Sequence, residues 1–507
     1  MAINSIKADY LSGAPALSSF YRYPFPAPDL GQLLRDRAGF PVDRDLLVQE
    51  LTEQNRGFAH SQETLANIQL LANENTFTVT TGHQLVLMGG PMYMLYKIAT
   101  AIKLAEIIGK QCPEYNVVPV FWMASEDHDW EEINHYHSSF FDQVTYPGSF
   151  RGPVGRHILE PEIEAVLAEV PERFRKLFQP GQDLSTCFRR LILDLFGKYG
   201  LVVIDADSIS LKQAFIPFME AEVEGNGMGS HVFATSDRLE TAGYKVQILP
   251  REINLFYMGD GGRHLLVREG DGFGTKDGSH TFSKAELLRL IRTQPRDFSP
   301  NVSMRPLYQE VQLPNLAYIG GWAEMSYWMQ LKDAFEAARV SFPMLVPRMS
   351  AGMVPGDVAT ELSELGLSLE DLDQDEHVLL DRYLSKHWDD SALQDAFSRL
   401  REAYAHLVET VEGIDKPLAG MAAGQAAKSN KLIDKLDQKI RKAMRNRHPG
   451  PYQRIREIKN AWQPDNKKQE RVLNFTIFSG VDADDLVSLI LAHCPGHDYL
   501  EQWIKLP

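Results

Sequence analysis

Cysteine is scarce in this chain. Only Cys112, Cys187 and Cys494 occur among its 507 residues, and their wide separation matches no zinc or redox spacing. So few cysteines in a chain of this length are typical of proteins that stay in a reducing compartment. We therefore expect a cytoplasmic protein.

Long apolar runs and an excess of positive charge are also missing. No run of 18 apolar residues occurs, so no membrane-spanning helix is expected. The N-terminal sequence MAINSIKADYLSG has no apolar signal core. Against 52 lysines and arginines stand 68 aspartates and glutamates, which gives a formal net charge of −16. This balance argues against general binding to nucleic acid or to a membrane surface, although it leaves room for a local basic patch.

Two apolar runs, Phe77–Thr81 and Val117–Met123, bracket one amphipathic helix. This arrangement predicts a βαβ unit of a parallel sheet. In open α/β sheets, ligands bind beyond the carboxyl ends of the strands. The polar side chains at these two strand ends are therefore the first candidates for a binding site: His83, Gln84, Glu126, Asp127, His128 and Asp129.

The helix between the strands is predicted to begin at Gly90-Pro91, because proline is favoured in the first turn, and to end at Gly109. The N-terminus of the helix would face the loop 82–90 with free N–H groups suited to an anion. This loop lacks G-x-G-x-x-G, and the chain lacks the P-loop motif G-x-x-x-x-G-K-[ST], so any nucleotide site is of another kind. The residues expected to face the sheet are Leu95, Ile98, Ala99, Ile102 and Ala105.

Three more buried strands are predicted, at residues 200–205, Leu316–Gly320 and Met344–Val346, which extends the parallel core to five strands. Residues 244–283 alternate as an antiparallel β-hairpin module in the segments YKVQILP, INLFYM and RHLLVRE. This module is expected to be an insertion outside the parallel core.

The chain is predicted to divide into two domains. Residues 1–375 would form the α/β core, with inserted connecting segments at about 140–200 and 240–290. Residues 376–507 would form a C-terminal α-helical coiled-coil domain with a closing segment. An antiparallel helical hairpin that also forms a dimer surface is the simplest interpretation. Its heptad seam consists of Leu393, Phe397, Leu400, Tyr404, Leu407, Val411 and Ile414.

The run EDHDWEEINHYH begins at Glu126 and holds seven acidic or histidine side chains up to His135. It could be a solvated loop, but its place at a strand end favours a pocket. Clustered carboxylates are unfavourable together unless a cation joins them, and Mg²⁺, Zn²⁺, a substrate ammonium group or a basic side chain could do so. No known zinc spacing matches the run, so no metal ligand is assigned.

Candidates outside this run have structural alternatives. His83 could stabilise charge that develops on a phosphate, or could simply be exposed. Arg305 and Glu324 flank the fourth strand and could line the pocket or form a structural ion pair. Arg348 and Ser350 follow the fifth strand, again at a carboxyl end.

The second helix of the coiled coil is strongly basic. A solvated coiled-coil face is the favoured interpretation, and binding of RNA or of nucleotide phosphate is the alternative. The basic residues are Lys428, Lys431, Lys435, Lys439, Arg441, Lys442, Arg445 and Arg447.

Several blocks, in order along the chain, resemble the bacillithiol-biosynthesis cysteine-adding enzyme family. They are TGHQLVLMGGPMYMLYK, VPVFWMASEDHDWEEINH, RPLYQEVQLPNLAYIGGWAEMSYW, PRMS and KKQERVLN. The resemblance implies a Rossmann-like core similar to class I aminoacyl-tRNA synthetases and a dimerising coiled coil. His83-Gln84 and Arg348-Met349-Ser350 resemble the two synthetase signatures, whereas residues 321–324 (GWAE) depart from the Gly-Pro-Gly-Glu expected there.

In that family the reaction is the last step of bacillithiol synthesis, the joining of cysteine to glucosaminyl malate. The resemblance therefore implies an ATP-dependent ligase and a homodimer, with Mg²⁺ accompanying the nucleotide. Charge type and expected position suggest catalytic roles for His83, Glu126, Asp127 and Asp129, nucleotide contacts for Gly82, Gly90, Arg348 and Ser350, and substrate contacts for Gln84, His128, Asn301, Arg305 and Glu324. Asn301 and Arg305 would hold the malate carboxylates.

Two other functions remain open at this point. The chain could be a synthetase-like RNA-binding module that uses the basic helix. It could also be a dimeric scaffold whose site is vestigial.

Overall fold

The fold is described by a computed structural model that covers residues 5–58, 61–139, 142–447, 449–478, 480–496, 499 and 501–506, apart from the side chain of Asp465. The helices are α1 Ile6–Ser12, α2 Leu30–Ala38, α3 Arg44–Gln54, α4 Gln62–Leu70, α5 Tyr93–Gln111, α6 Trp130–Ile133, α7 Glu162–Val166, α8 Glu172–Arg175, α9 Leu184–Phe196, α10 Ile209–Glu224, α11 Gly229–Thr241, α12 Lys284–Thr293, α13 Arg305–Gln312, α14 Trp322–Gln330, α15 Lys332–Ala337, α16 Gly356–Glu364, α17 Glu376–His387, α18 Ser391–Ile414, α19 Lys416–Arg447, α20 Pro449–Trp462 and α21 Ala483–His493.

The strands are β1 Thr76–His83, β2 Asn116–Met123, β3 His135–His137, β4 Gln143–Thr145, β5 Val202–Asp205, β6 Leu255–Tyr257, β7 His264–Glu269, β8 Gly272–Thr275, β9 Thr281–Phe282, β10 Phe298–Pro300, β11 Asn315–Gly320, β12 Met344–Pro347, β13 Ser350–Val354 and β14 Glu501–Lys505. Among the described residues, no helix is long and apolar enough to cross a membrane.

Five parallel strands form the central sheet in the order β12-β11-β1-β2-β5. Their side chains are almost all buried on both faces, which explains the continuous apolar runs in the sequence. All five predicted core strands are confirmed. When these five strands are numbered 1 to 5 as they occur along the chain, their order across the sheet is 5-4-1-2-3. Successive strands are added on one side of β1 up to β5 and on the other side from β11, so the strand order reverses between β1 and β11. In Rossmann-like folds this reversal is where the ligand crevice opens.

Helix α5 begins at Tyr93, later than predicted, and Gly109 lies inside it because the helix continues to Gln111. The five predicted sheet-facing residues are all buried. The residues before the helix are also buried, because residues 473–474 cover them. The N–H of Met92 donates to the Leu473 carbonyl at 2.9 Å, and Asn474 Nδ2 donates to the carbonyl of Gly90 at 2.8 Å. The helix start therefore has no open face for an anion at Gly90.

A second sheet is antiparallel, in the order β10-β6-β7-β8-β9, and confirms the predicted insertion outside the parallel core. The prediction of a strand over residues 244–250 was wrong. The N–H groups of Gln247 and Ile248 donate to the side-chain oxygen of Gln330, so a side chain satisfies this backbone in place of a strand partner.

The chain divides into two compact units, Met1–Ala351 with Glu470–Ile504, and Gly352–Gln469 with Lys505–Pro507. The division lies before the predicted boundary at residue 375. Helices α16 and α17 belong to the second unit because they pack on α20. Arg454 pairs with Glu361 at 2.7 Å, and the Tyr452 hydroxyl donates to the carbonyl of Leu380 at 3.2 Å.

Helices α18 and α19 form the predicted hairpin. It is antiparallel, because Gln394 contacts Asp437 at 3.3 Å and Arg401 pairs with Asp434 at 2.8 Å. Two of the basic side chains are also paired within this unit. Arg441 binds Asp390 and Asp437, and Arg445 binds Asp381. These pairs are typical of a coiled-coil face.

The hairpin covers its own apolar seam only in part. Phe397 is buried, but Leu400 and Leu407 are 50% and 51% exposed and Ile414 is 76% exposed in the single chain. A contiguous apolar strip of this kind usually marks an interaction surface.

We expect the dimer predicted from the sequence to cover this strip, so replacing both Leu400 and Leu407 by glutamate should convert that dimer into a monomer. Sedimentation velocity would measure the change. The control is His406→Glu, since this neighbouring side chain is 83% exposed and its replacement should leave the dimer intact. A wild-type protein that sediments as a monomer would contradict the expected assembly.

Candidate active site

The candidate site lies at the carboxyl ends of the parallel strands, where the strand order reverses. The ends of β1 and β11 are neighbours there, and β2 follows β1 in the sheet. We call the polar groups around the reversal the switch-point cluster: Gly82, His83, Tyr93, Lys97, Arg305, Tyr318, Glu324 and Tyr327.

A buried ion pair joins the two halves of this cluster. Lys97 of α5 is 3% exposed, and its Nζ lies 2.6 Å from Glu324 Oε2 of α14 and 3.0 Å from the Gly82 carbonyl. Glu324 also accepts from the Gly321 N–H and the Tyr318 hydroxyl, each at 2.9 Å. Burial opposes ionisation of Glu324, but Lys97 and the Gly321 amide outweigh it and lower the pKa of Glu324 to about 2. The predicted pocket residue Glu324 is thus held as a carboxylate that also caps its own helix.

His83 is neutral and holds the Tyr93 hydroxyl. Its Nδ1 lies 3.2 Å from the Gln84 carbonyl, which can only accept, so Nδ1 carries the proton. Nε2 then accepts from the Tyr93 hydroxyl at 2.9 Å. Burial, reinforced by the charge of Lys97, lowers the pKa of His83 to about 3. The imidazole therefore brings no positive charge to a phosphate.

Arg305 is the cation of the cluster that has no carboxylate partner among the described residues. Its Nη1 donates to Gln309 Oε1 at 3.1 Å, and its guanidinium lies 5.7 Å from the ring centre of Tyr318. Arg305 lies beside the end of β1, since a Cβ at Gly82 would be 3.5 Å from Arg305 Nη1, an ordinary contact distance, and a tighter 3.2 Å from the Trp122 carbonyl. The guanidinium is partly exposed and also interacts with Tyr327 and with the charge of Glu324. Its remaining N–H groups are suited to bind a carboxylate or phosphate.

The acidic run at the end of β2 receives its cation from the antiparallel insertion. Arg263, in the loop between β6 and β7, places Nη1 3.1 Å from Asp127 Oδ1 and 2.9 Å from His128 Nδ1. Its guanidinium packs 4.0 Å from the ring centre of Phe256. Gln84 Nε2 donates to Asp127 Oδ2 at 2.8 Å. One of the four cations considered from the sequence was a basic side chain, and Arg263 lies in that position beside Asp127 and His128.

The two aspartates of the run have different environments. Burial alone raises the pKa of Asp127, but donors from His128 and Gln84 and the charge of Arg263 outweigh it and hold that pKa below the usual range. Asp129 is exposed, with 49% of its side chain accessible, and burial of the remainder together with the nearby Asp127 charge raises its pKa. Asp129 is therefore the better proton acceptor of the two.

The first residues of the acidic run lie in a turn directly after β2. The Asp127 N–H donates to the Ala124 carbonyl at 3.2 Å, so the chain turns after β2. The turn brings ligand atoms of Asp127, His128 and Asp129 within 4.8 Å of one another.

Several predicted site residues have their polar atoms used inside the fold. Glu126 is 5% exposed and pairs with the fully buried Lys212, and burial raises the pKa of Glu126 to about 7. Asn301 stabilises the turn that precedes α13, because its Oδ1 accepts from the N–H groups of Ser303 at 2.9 Å and Met304 at 3.2 Å. These contacts give Glu126 and Asn301 structural roles.

Arg348 and Ser350, predicted to bind nucleotide, both contact Glu470. Arg348 Nη2 lies 2.8 Å from Glu470 Oε1, and the Ser350 hydroxyl donates to Oε2 at 2.9 Å. The Arg348 guanidinium also lies 5.2 Å from the Tyr93 ring centre, so it borders the switch-point cluster while its charge is neutralised.

Sequence analysis missed three residues that organise the site: Lys97, Arg263 and Glu470. Lys97 had a signal, since it is a lysine inside an otherwise apolar face of the core helix. Glu470 lies in the block KKQERVLN. No sequence feature near Arg263 indicates that its loop contacts the acidic run.

Two family models match the chain. Residues 2–349 match the family model described as bacillithiol biosynthesis BshC, N-terminal Rossmann-like domain, and residues 351–499 match the BshC C-terminal coiled-coil domain. The chain belongs to the BshC family. Together the two matches span the parallel core, the insertion and the helical hairpin.

Curated BshC relatives carry the name "Putative cysteine ligase BshC". The protein from Flavobacterium psychrophilum is 36% identical over 95% of this chain and 93% of its own length. The one from Bacillus cereus (strain B4264) is 28% identical over 99% and 98%. A solved "putative arginyl tRNA synthetase" from Campylobacter jejuni is 12% identical and covers 88% of this chain and 95% of its own, but its TM-score of 0.24 is too low to argue from.

Glu324→Gln keeps the shape of the side chain and removes the charge that compensates Lys97. The pKa of Glu324 in the folded protein, about 2, lies below its ordinary value of 4.5, so the carboxylate stabilises the fold above about pH 5 and loses this effect as pH falls toward 2. At pH 7 we expect a loss of about 3 kcal/mol, measured by urea unfolding, and a smaller difference at pH 4.

The control is Glu336→Gln, which removes an exposed carboxylate that pairs with Lys332 four residues earlier in α15 and should change stability by about 0.5 kcal/mol or less. Equal stability of the wild type and Glu324→Gln at pH 7 would show that the buried pair does not hold the cluster together.

Proposed function

We propose that this BshC family member is an ATP-dependent ligase that joins cysteine to the amine of glucosaminyl malate in the last step of bacillithiol synthesis. The name of its relatives supports cysteine as a substrate. The observation that carries the proposal is the arrangement of charge at neighbouring strand ends. Arg305, which forms no salt bridge with any described carboxylate, lies beside the end of β1, and the exposed Asp129 follows β2.

Amide formation from a free carboxylate and an amine needs an activated carboxyl group. A carboxylate oxygen of cysteine attacks a phosphorus of ATP, and pyrophosphate or ADP leaves. The amine nitrogen of glucosaminyl malate then attacks the activated carbonyl carbon, and AMP or phosphate leaves. An adenylate and an acyl phosphate satisfy this requirement equally.

The attacking nitrogen must lose a proton, and we assign Asp129 as the group that accepts it. Its raised pKa and exposure suit a general base better than the environment of Asp127, whose charge is already balanced by Arg263. Asp127 instead fixes Gln84 and Arg263 along the edge of the site.

Arg305 would bind an anionic group of a substrate. Two sources share this chemistry, the malate carboxylates and the phosphates of ATP, since phosphates also bind at the reversal point of such sheets. Lys97 donates to the Gly82 carbonyl and so brings a second positive charge close to the end of β1. This charge is paired with Glu324.

Asp129→Asn should lower kcat about 100-fold while the protein stays folded, because the side chain is half exposed and its loss removes a proton acceptor. Product formation by mass spectrometry and a melting curve would measure both effects. The matched control is Glu131→Gln, an exposed carboxylate two residues away that should remain active. Wild-type kcat in Asp129→Asn would exclude it as the base.

Arg305→Gln should raise the KM of one anionic substrate about 10-fold to 100-fold, since a charge-assisted contact contributes about 1.5–3 kcal/mol. Steady-state kinetics with glucosaminyl malate and with ATP varied in turn would identify which substrate it binds. Arg289→Ala, at an exposed position of α12, should leave both KM values unchanged. An unchanged KM for both substrates in Arg305→Gln would contradict the assigned role.

A further inference from the structure

The antiparallel insertion contains a second cluster of imidazole and carboxylate groups. Asp260 lies in the loop between β6 and β7, His264 opens β7, and His280 directly precedes β9. Asp260 Oδ1 is 3.1 Å from His264 Nε2, and Asp260 Oδ2 is 2.9 Å from His280 Nε2. One ligand atom from each residue lies within 4.8 Å of the other two. We propose that Asp260, His264 and His280 bind one Zn²⁺ ion.

A fourth side chain orients one of these ligands. His264 Nδ1 donates to Asp277 Oδ2 at 2.7 Å, which leaves Nε2 free to bind a metal. Asp277 is itself fixed, because its Oδ1 accepts from the Ser279 hydroxyl at 2.8 Å. Metal-binding histidines commonly donate their second ring N–H to a carboxylate in this way, which fixes the tautomer and raises the basicity of the ligand.

The backbone of the loop between β6 and β7 allows Asp260 and His264 to come close together. Gly261 has φ of +85°, in the left-handed region that favours glycine. A Cβ at Gly262 would lie 2.2 Å from His264 Nε2, so any other residue there would displace the imidazole. The Gly262 N–H donates to Asp260 Oδ1 at 3.2 Å, which turns the carboxylate toward the rings.

The ligand set favours zinc over harder ions. Imidazole nitrogens suit Zn²⁺, whereas Mg²⁺ and Ca²⁺ prefer all-oxygen sites. Three protein ligands leave the fourth tetrahedral position to water. The alternative to a metal site is a cluster of hydrogen-bonded ion pairs. In that case the Nε2 atoms of His264 and His280 would each carry a proton and donate it to Asp260.

The site has a consequence for the acidic run, and this part rests on the proposed function. Arg263 lies between two of the ligands in sequence and reaches from their loop to Asp127. A metal ion bound by Asp260 and His264 would fix that loop, so Arg263 acts as a positioning residue that depends on the metal. Failure of this link would leave zinc binding itself unaffected.

The test uses the untagged full chain. The metal-free protein is titrated with ZnCl2 by calorimetry, and zinc retained after desalting is measured by mass spectrometry. We expect one zinc ion per wild-type chain, a loss of this ion in His280→Ala, and full retention in His231→Ala, which replaces an exposed histidine of α11.

Asp277→Asn covers the case in which His280→Ala does not fold. It keeps all three ligands and should weaken zinc binding about 10-fold to 100-fold. Zinc should also raise the melting temperature of the wild type but not of His280→Ala. A wild-type chain that retains no zinc, or equal retention in the wild type, His280→Ala and Asp277→Asn, would overturn the proposal.

Discussion

The buried pair between Lys97 and Glu324 is the interaction on which the site depends. It joins the helix that follows β1 to the helix that follows β11, across the point where the strand order reverses. A buried lysine is tolerated only when it is paired and hydrogen-bonded, so the two helices must keep a fixed position. Because Lys97 also donates to the Gly82 carbonyl, the end of β1 is held in the same network. The groups that face the crevice are thereby arranged before any ligand arrives.

The charges around this network fall into two classes. Lys97, Arg348 and Arg263 are paired with Glu324, Glu470 and Asp127, and their contacts maintain the shape of the site. Among the described residues, Arg305 forms no salt bridge with a carboxylate and Asp129 forms none with a lysine or arginine, and the two lie at neighbouring strand ends. A ligase that must hold an anionic substrate and remove a proton from an amine needs one group of each kind. In the proposed mechanism, the paired charges therefore have structural roles, and Arg305 and Asp129 are the residues proposed to act on the substrates.

Local pattern was enough to predict the parallel core. Buried strands such as β1 and β2 are continuous apolar runs, and α5 has a helical apolar face, so short stretches determine them. The need for a cation beside Asp127 also followed from charge alone. Its source did not, since Arg263 lies 136 residues away and is brought there by the insertion. Likewise, Gly90 and Arg348 were predicted from the sequence to contact nucleotide. In the structure Asn474 donates to the Gly90 carbonyl, and Glu470 neutralises the charge of Arg348.

The most direct test of the account is reconstitution of the reaction with the purified wild-type chain. Cysteine, glucosaminyl malate and ATP with Mg²⁺ would be incubated together, and the amide product followed by mass spectrometry alongside a reaction without ATP. An ATP-dependent ligase should form product only with ATP, together with AMP or ADP in equal amount. Absence of product with all three substrates, or equal product without ATP, would contradict it.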